Sequence, residues 1–173
     1  MTTPYVDPQT VHNPTTGGSP PASWGDTVRD NQQLFSTPPS VKAVRAAGQT
    51  VANNTATAIA FTAADEWDTD SFHSTTVNNT RITVPAGLGG KYLLIGSMNM
   101  SPGTSSIRYL ELKLNGTTRI EIFQVNGQSS YTVFQPTVLT SLAASDYVEA
   151  YAFQDSGASV TVIGSLSAHW VSL

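Results

Sequence analysis

Five potential metal ligands crowd into nine residues, DEWDTDSFH at positions 65 to 73: Asp65, Glu66, Asp68, Asp70 and His73. Oxygen donors at that density could hold calcium, but an EF-hand calcium loop needs a glycine at its turn and a distal bidentate glutamate, and neither is present. The stretch is therefore read as a solvated loop held down by Trp67 and Phe72, and no metal or cofactor is expected. His12, His73 and His169 are scattered along the chain without zinc-ligand spacing. The absence of cysteine removes thiolate ligands, thiol nucleophiles and disulfides together. A serine–histidine–acid triad picked from so many serines has no weight without geometry. The few acids lie in loops or on strand faces beside lysine and arginine, so no glycosidase-like pair can be argued. No enzyme activity is expected.

Aromatic side chains offer a different chemistry. Tyr109, Tyr147, Tyr151 and Phe153 fall on strand-like segments opposite small or aliphatic residues. Such rings either stack on sugar faces or fill an interface between subunits. Tyr147, Tyr151 and Phe153 alternate on one face and are taken as an interface between copies.

The elements that must position these residues are strands. The chain has 173 residues with 8 Lys+Arg against 12 Asp+Glu, a net charge of -4. No basic cluster appears, which argues against nucleic acid. Charged residues make up only 12 %, about half the usual share, and Ser, Thr, Asn and Gly fill the gap. The start, MTTPYVDPQTVHNP, lacks the basic and apolar runs of a secretory signal, and no stretch reaches the roughly eighteen apolar residues of a membrane helix. From Val41 onward the pattern has period two with strong turn punctuation. SIRYLELKLNG places Leu110, Leu112 and Leu114 on one face and Tyr109, Glu111 and Lys113 on the other. Asn115-Gly116 then turns the chain into TTRIEIFQV. Met98 and Met100 read as core, and Pro136 marks an edge position or a bulge. ASVTVIG and LSAHWVSL read as the last two of nine or ten strands, an antiparallel sandwich or barrel.

Residues 1–40 differ, holding seven of the ten prolines. They read as extended coil with one helix-like patch, PASWGDTVRDNQQLF, capped by Ser23 or Asp26 and striped by Trp24, Val28, Leu34 and Phe35. So short a stripe must dock on something else.

Across residues 43–173 the order Val84-Pro85, Gly90-Lys91-Tyr92, Asn115-Gly116, Asp146-Tyr147-Val148 and a closing aromatic strand resembles the complement C1q-like and tumour-necrosis-factor-like jelly roll. Two departures are Ser145, where glycine would be usual, and Trp170 in the closing strand. The resemblance implies an all-β antiparallel jelly-roll head over 41–173, built as a homotrimer with one sheet facing the threefold axis. Tyr147, Tyr151 and Phe153 would then be the trimer interface. C1q-like heads include calcium-binding members, but the loop at 65–73 is still read without a metal. The string VHNPTTGGSPPASWGDTVRDNQQLF resembles the segment that precedes such heads in structural proteins of tailed bacteriophages. That resemblance implies an attachment arm over 1–40 with anchoring residues Trp24, Gly25, Asp26, Val28, Arg29, Asp30, Asn31 and Phe35. The expected partner is the major capsid protein or another virion protein. The expected setting is the particle surface, after synthesis in the host cytoplasm. The nearness of arm to head, with no shaft between, favours a capsid decoration or head-fibre role over a tail tip that reads host surface glycan.

Overall fold

The computed structural model describes residues 22–103, 107–126 and 130–173. Helix α1 (Ala22–Ser36) begins directly after Pro20-Pro21 and ends ahead of Pro38-Pro39, which cannot continue it. Asp26 lies inside the helix and pairs with Arg29 at 2.9 Å, so the sequence reading of Asp26 as a cap is corrected.

Among the described residues eleven strands follow: β1 (Ser40–Val51), β2 (Thr57–Ala58), β3 (Trp67–Asp68), β4 (Arg81–Thr83), β5 (Gly90–Met100), β6 (Ile107–Leu114), β7 (Thr118–Asn126), β8 (Thr132–Phe134), β9 (Thr137–Leu142), β10 (Tyr147–Gln154) and β11 (Val160–Ser172). They form two antiparallel sheets. The larger has the order β3-β1-β11-β5, with β8 and β9 both along the far side of β5. The smaller runs β10-β6-β7, with β2 and β4 on the other side of β10. This is a jelly-roll sandwich.

Alternation explains the layers. Along β5, Tyr92, Leu94, Met98 and Met100 point into the core, while Leu93, Ile95, Ser97 and Asn99 face outward. On β6 Leu110 and Leu112 are fully buried and Leu114 packs against the core. Each such aliphatic side chain stabilises the sandwich by about 1.5–3 kcal/mol.

Three turns carry local chemistry. Asn115 and Gly116 both have positive φ, 51° and 73°, and the Thr117 N–H donates to the Leu114 carbonyl at 3.2 Å, the geometry of a type I′ hairpin turn. Ser145 adopts φ 72°, so the position where the family pattern has glycine is left-handed here too, at a steric cost serine bears. Pro136 separates β8 from β9 on the edge of the larger sheet, and its carbonyl accepts from the Gly96 N–H at 2.9 Å.

Other sequence readings are corrected. ASVTVIG and LSAHWVSL are one continuous strand, β11. Gly164 between them is no turn. With φ 153° it lets the backbone pass so close that a Cβ would lie 2.1 Å from the Ser97 carbonyl oxygen. The stretch read as a solvated loop at 65–73 contains β3, which adds an edge to the larger sheet through Val41 and Lys42.

Candidate functional site

The acidic loop is spent internally. The Asp68 carboxylate accepts from the backbone N–H groups of Asp70 (3.3 Å), Phe72 (2.9 Å) and His73 (2.9 Å). Asp65 meets the buried His73 ring at 2.8 Å, Glu66 pairs with Lys42 at 2.6 Å, and Asp70 accepts from the Thr69 hydroxyl at 2.8 Å. These acids therefore cap and clamp the loop, and Phe72 anchors it in the core. The Asp65–His73 contact escaped the sequence because it depends on the path of the loop. Among the described residues no group of three His, Cys, Asp or Glu side chains could hold a metal ion, and no helix is long and apolar enough to cross a membrane.

The residues expected to anchor the arm share one helix. Gly25, Asp26, Arg29 and Phe35 are exposed; Trp24, Val28 and Asp30 are half-buried; Asn31 is buried. Leu34 is the surprise, for it joins the core of the sandwich while its neighbour Phe35 is 67 % exposed. Phe35 lines an open apolar cleft with Trp170, Ser172 and Leu173 of the last strand. The Trp170 N–H donates to the Pro39 carbonyl at 2.9 Å, which ties the segment between helix and β1 to the same end of the head.

Four separated motifs converge at that end. The Asn115 amide donates to Asp146 at 2.8 Å and its oxygen accepts from the Tyr147 N–H at 2.9 Å. Asp146 also accepts from the Ala143 N–H at 2.8 Å, and its carbonyl accepts from the Val84 N–H at 2.8 Å. The Tyr92 hydroxyl donates to the Leu88 carbonyl at 2.6 Å, and burial with the nearby Asp70 charge pushes this phenol well above its ordinary value. Each short motif is half of a contact.

Tyr147, Tyr151 and Phe153 lie together on the outward face of the smaller sheet, and their rings have partners within the subunit. Tyr109 and Phe153 stack at 4.7 Å and 7°. Arg81 lies 4.4 Å over Tyr147, and Lys113 lies 4.1 Å over Tyr151. Beneath them Glu111, only 2 % exposed, holds Lys113 at 2.9 Å and Arg119 at 2.7 Å. Glu149, also buried, accepts from the Thr80 hydroxyl at 2.5 Å and from the Tyr151 hydroxyl at 3.3 Å. Burial, the Glu149 charge and this hydrogen bond push the Tyr151 phenol up. Burial of Glu111 itself was signalled only by its lysine two residues away.

The outward face of the larger sheet is different in kind. Leu139, Val133, Val171 and Ile163 are exposed there, and Leu93 lies between Leu139 and His169 in register. Ser97, Ser165 and Ser167 supply small neighbours. His169 packs on Trp67 at 5.9 Å, and burial pulls its imidazole below the ordinary value.

Neither a family profile nor a curated protein matches the sequence. Structural similarity is clear at low identity. The globular domain of zebrafish complement 1qA protein aligns over 77 % of this chain and 97 % of its own, with TM-score 0.56 and 14 % identity. Vertex protein P5 of phage PRD1 aligns over 77 % and 96 %, with TM-score 0.59 and 15 % identity. An Eiger TNF from S. frugiperda aligns over 78 % and 94 %, with TM-score 0.53 and 10 % identity. The chain has the C1q/TNF-like jelly-roll fold.

Proposed function

We propose that this chain is a non-enzymatic structural protein of a phage virion, a homotrimeric knob that decorates the capsid and stabilises the shell. Residues 1–40 act as the attachment arm, through Trp24 to Asn31 and Phe35, and 41–173 form the head. The observation that carries this reading is the polarity of the molecule. Helix α1 meets the sandwich beside Pro39 and Trp170, while the loops after β5, β7 and β10 lie at the opposite end. A head mounted at one end presents the other outward. The shared fold of a phage vertex protein supports the virion setting.

The copies are proposed to meet through the outward face of the larger sheet. Leu93, Leu139 and Ile163 leave apolar surface there without a partner in the subunit, whereas the rings of Tyr147, Tyr151 and Phe153 are already engaged. Apolar area of this kind stabilises association when a second copy covers it. Three copies around one axis suit a threefold position in a shell.

The test is the copy number of this protein in purified particles, by quantitative mass spectrometry against the major capsid protein. A ratio of the same order as the capsid protein is expected. A handful of copies per particle would instead make the chain a tail tip that recognises host glycan, a reading favoured by the cleft described next. Trp24→Ala is expected to abolish particle attachment and leave a soluble trimer; a head that unfolds on this change would overturn the arm.

A further inference from the structure

At the end of the sandwich away from the helix, Val125 and Asn126 at the end of β7 face Ser130, Tyr131, Thr132 and Val133 at the start of β8 across a cleft of about 250 Å³. That is below the ~300 Å³ at which pockets for drug-sized ligands begin, and suits one ring rather than a chain. Tyr131 is 66 % exposed at its wall, so an aromatic face is available without unpacking anything.

Thr132 is the second observation. It is nine-tenths buried, and its hydroxyl oxygen accepts from the Arg108 guanidinium at 3.2 Å. Arg108 is wholly buried and also donates to the Ser101 carbonyl at 2.8 Å. A guanidinium has no acceptor, so the Thr132 hydrogen must be given elsewhere. The buried arginine thus takes one acceptor position of this hydroxyl and leaves its hydrogen to be donated. Asn126 adds an amide with both donor and acceptor, and Ser130 a second hydroxyl.

None of the lining side chains is charged. An anionic ligand would need a cation at the surface, and the Arg108 charge sits behind Thr132. An aromatic face beside neutral donors and acceptors matches the two surfaces of a sugar ring, the C–H face and the hydroxyl rim. We propose that this cleft binds a neutral pyranose unit of a surface polysaccharide. The outward aim of the cleft rests on the arm reading above; the binding itself does not.

The experiment is saturation-transfer NMR on the intact protein, with the methyl glycosides of glucose, galactose, mannose and N-acetylglucosamine as probes and glucuronic acid as the charged comparator. Transfer to at least one neutral glycoside is expected, weakened about 3- to 10-fold by Tyr131→Ala, the range of an aromatic contact. Thr132→Val should weaken it as well, while Thr132→Ser, which keeps the hydroxyl, should retain it. Absence of transfer to every neutral glycoside, transfer indifferent to Tyr131→Ala, or preference for glucuronic acid would each overturn the proposal. Loss of particle attachment by Trp24→Ala is read on virions, so failure of the arm and failure of the cleft are separate results.

Discussion

The two outward faces of the sandwich solve the same problem in opposite ways. On the smaller sheet the named charged and aromatic groups are paired within the chain: Glu111 holds two cations, Glu149 holds two hydroxyls, and aromatic rings cover Arg81 and Lys113 or one another. On the larger sheet Leu139 and Val133 are more than half exposed and are neighboured by serines and Leu93. A face that satisfies itself stabilises the monomer. A face left apolar gains stability when a second copy covers it, and this difference is the ground for the interface proposed above.

The sharpest way to break this contrast is Leu139→Asp, which places a charge on the apolar face at an exposed position. The proposed trimer should become monomeric by light scattering with its β-sheet circular dichroism intact; an unchanged trimer would remove the larger sheet from the interface. Glu111→Gln should do the reverse, keeping the trimer and lowering stability in urea. A loss of about 1–3 kcal/mol is expected from two charge-assisted hydrogen bonds, toward the lower end because the Arg119 side chain is 56 % exposed and keeps its water.

A smaller effect comes from pH. The His169 imidazole is lowered by burial in the folded state, below an unfolded value of about 6.5. The unfolded chain therefore binds the proton first, so the stability tied to neutral His169 is complete above about pH 6.5 and declines as pH falls below it. Melting temperature should drop between pH 7.5 and 5.5, and His169→Phe should flatten the drop. Least of all, Tyr151→Leu should leave the oligomeric mass unchanged and forfeit a cation–π contact of about 1 kcal/mol. Dissociation on that change would return the interface to the smaller sheet.

Much of the head was legible because its signals are local. Period two in KYLLIGSMNM, the Asn115-Gly116 turn and the interruption at Pro136 each follow from one residue's geometry. Ser145 was noticed as a departure and proves to occupy the conformation that glycine usually supplies. What escaped was tertiary. Leu34 and Phe35 are adjacent and equally apolar, and only docking decides that the first is buried. Gly164 resembles punctuation in sequence but marks a close approach to β5 within one strand. His73 finds Asp65 only because the loop folds back, and the distal cleft is assembled from two strand ends with no shared motif.

The loops farthest from the helix are fastened mainly to one another: Gly157 to Asn53, Ile107 to Asp155, and Thr161 to Ser101. Among the described residues their bonds do not run to the Asn115–Asp146 cluster at the helix end. Selection can therefore rewrite the distal end, residue by residue, without disturbing the helix end. If the arm mounts the head as proposed, a lineage of such heads would change what it touches while keeping what it stands on.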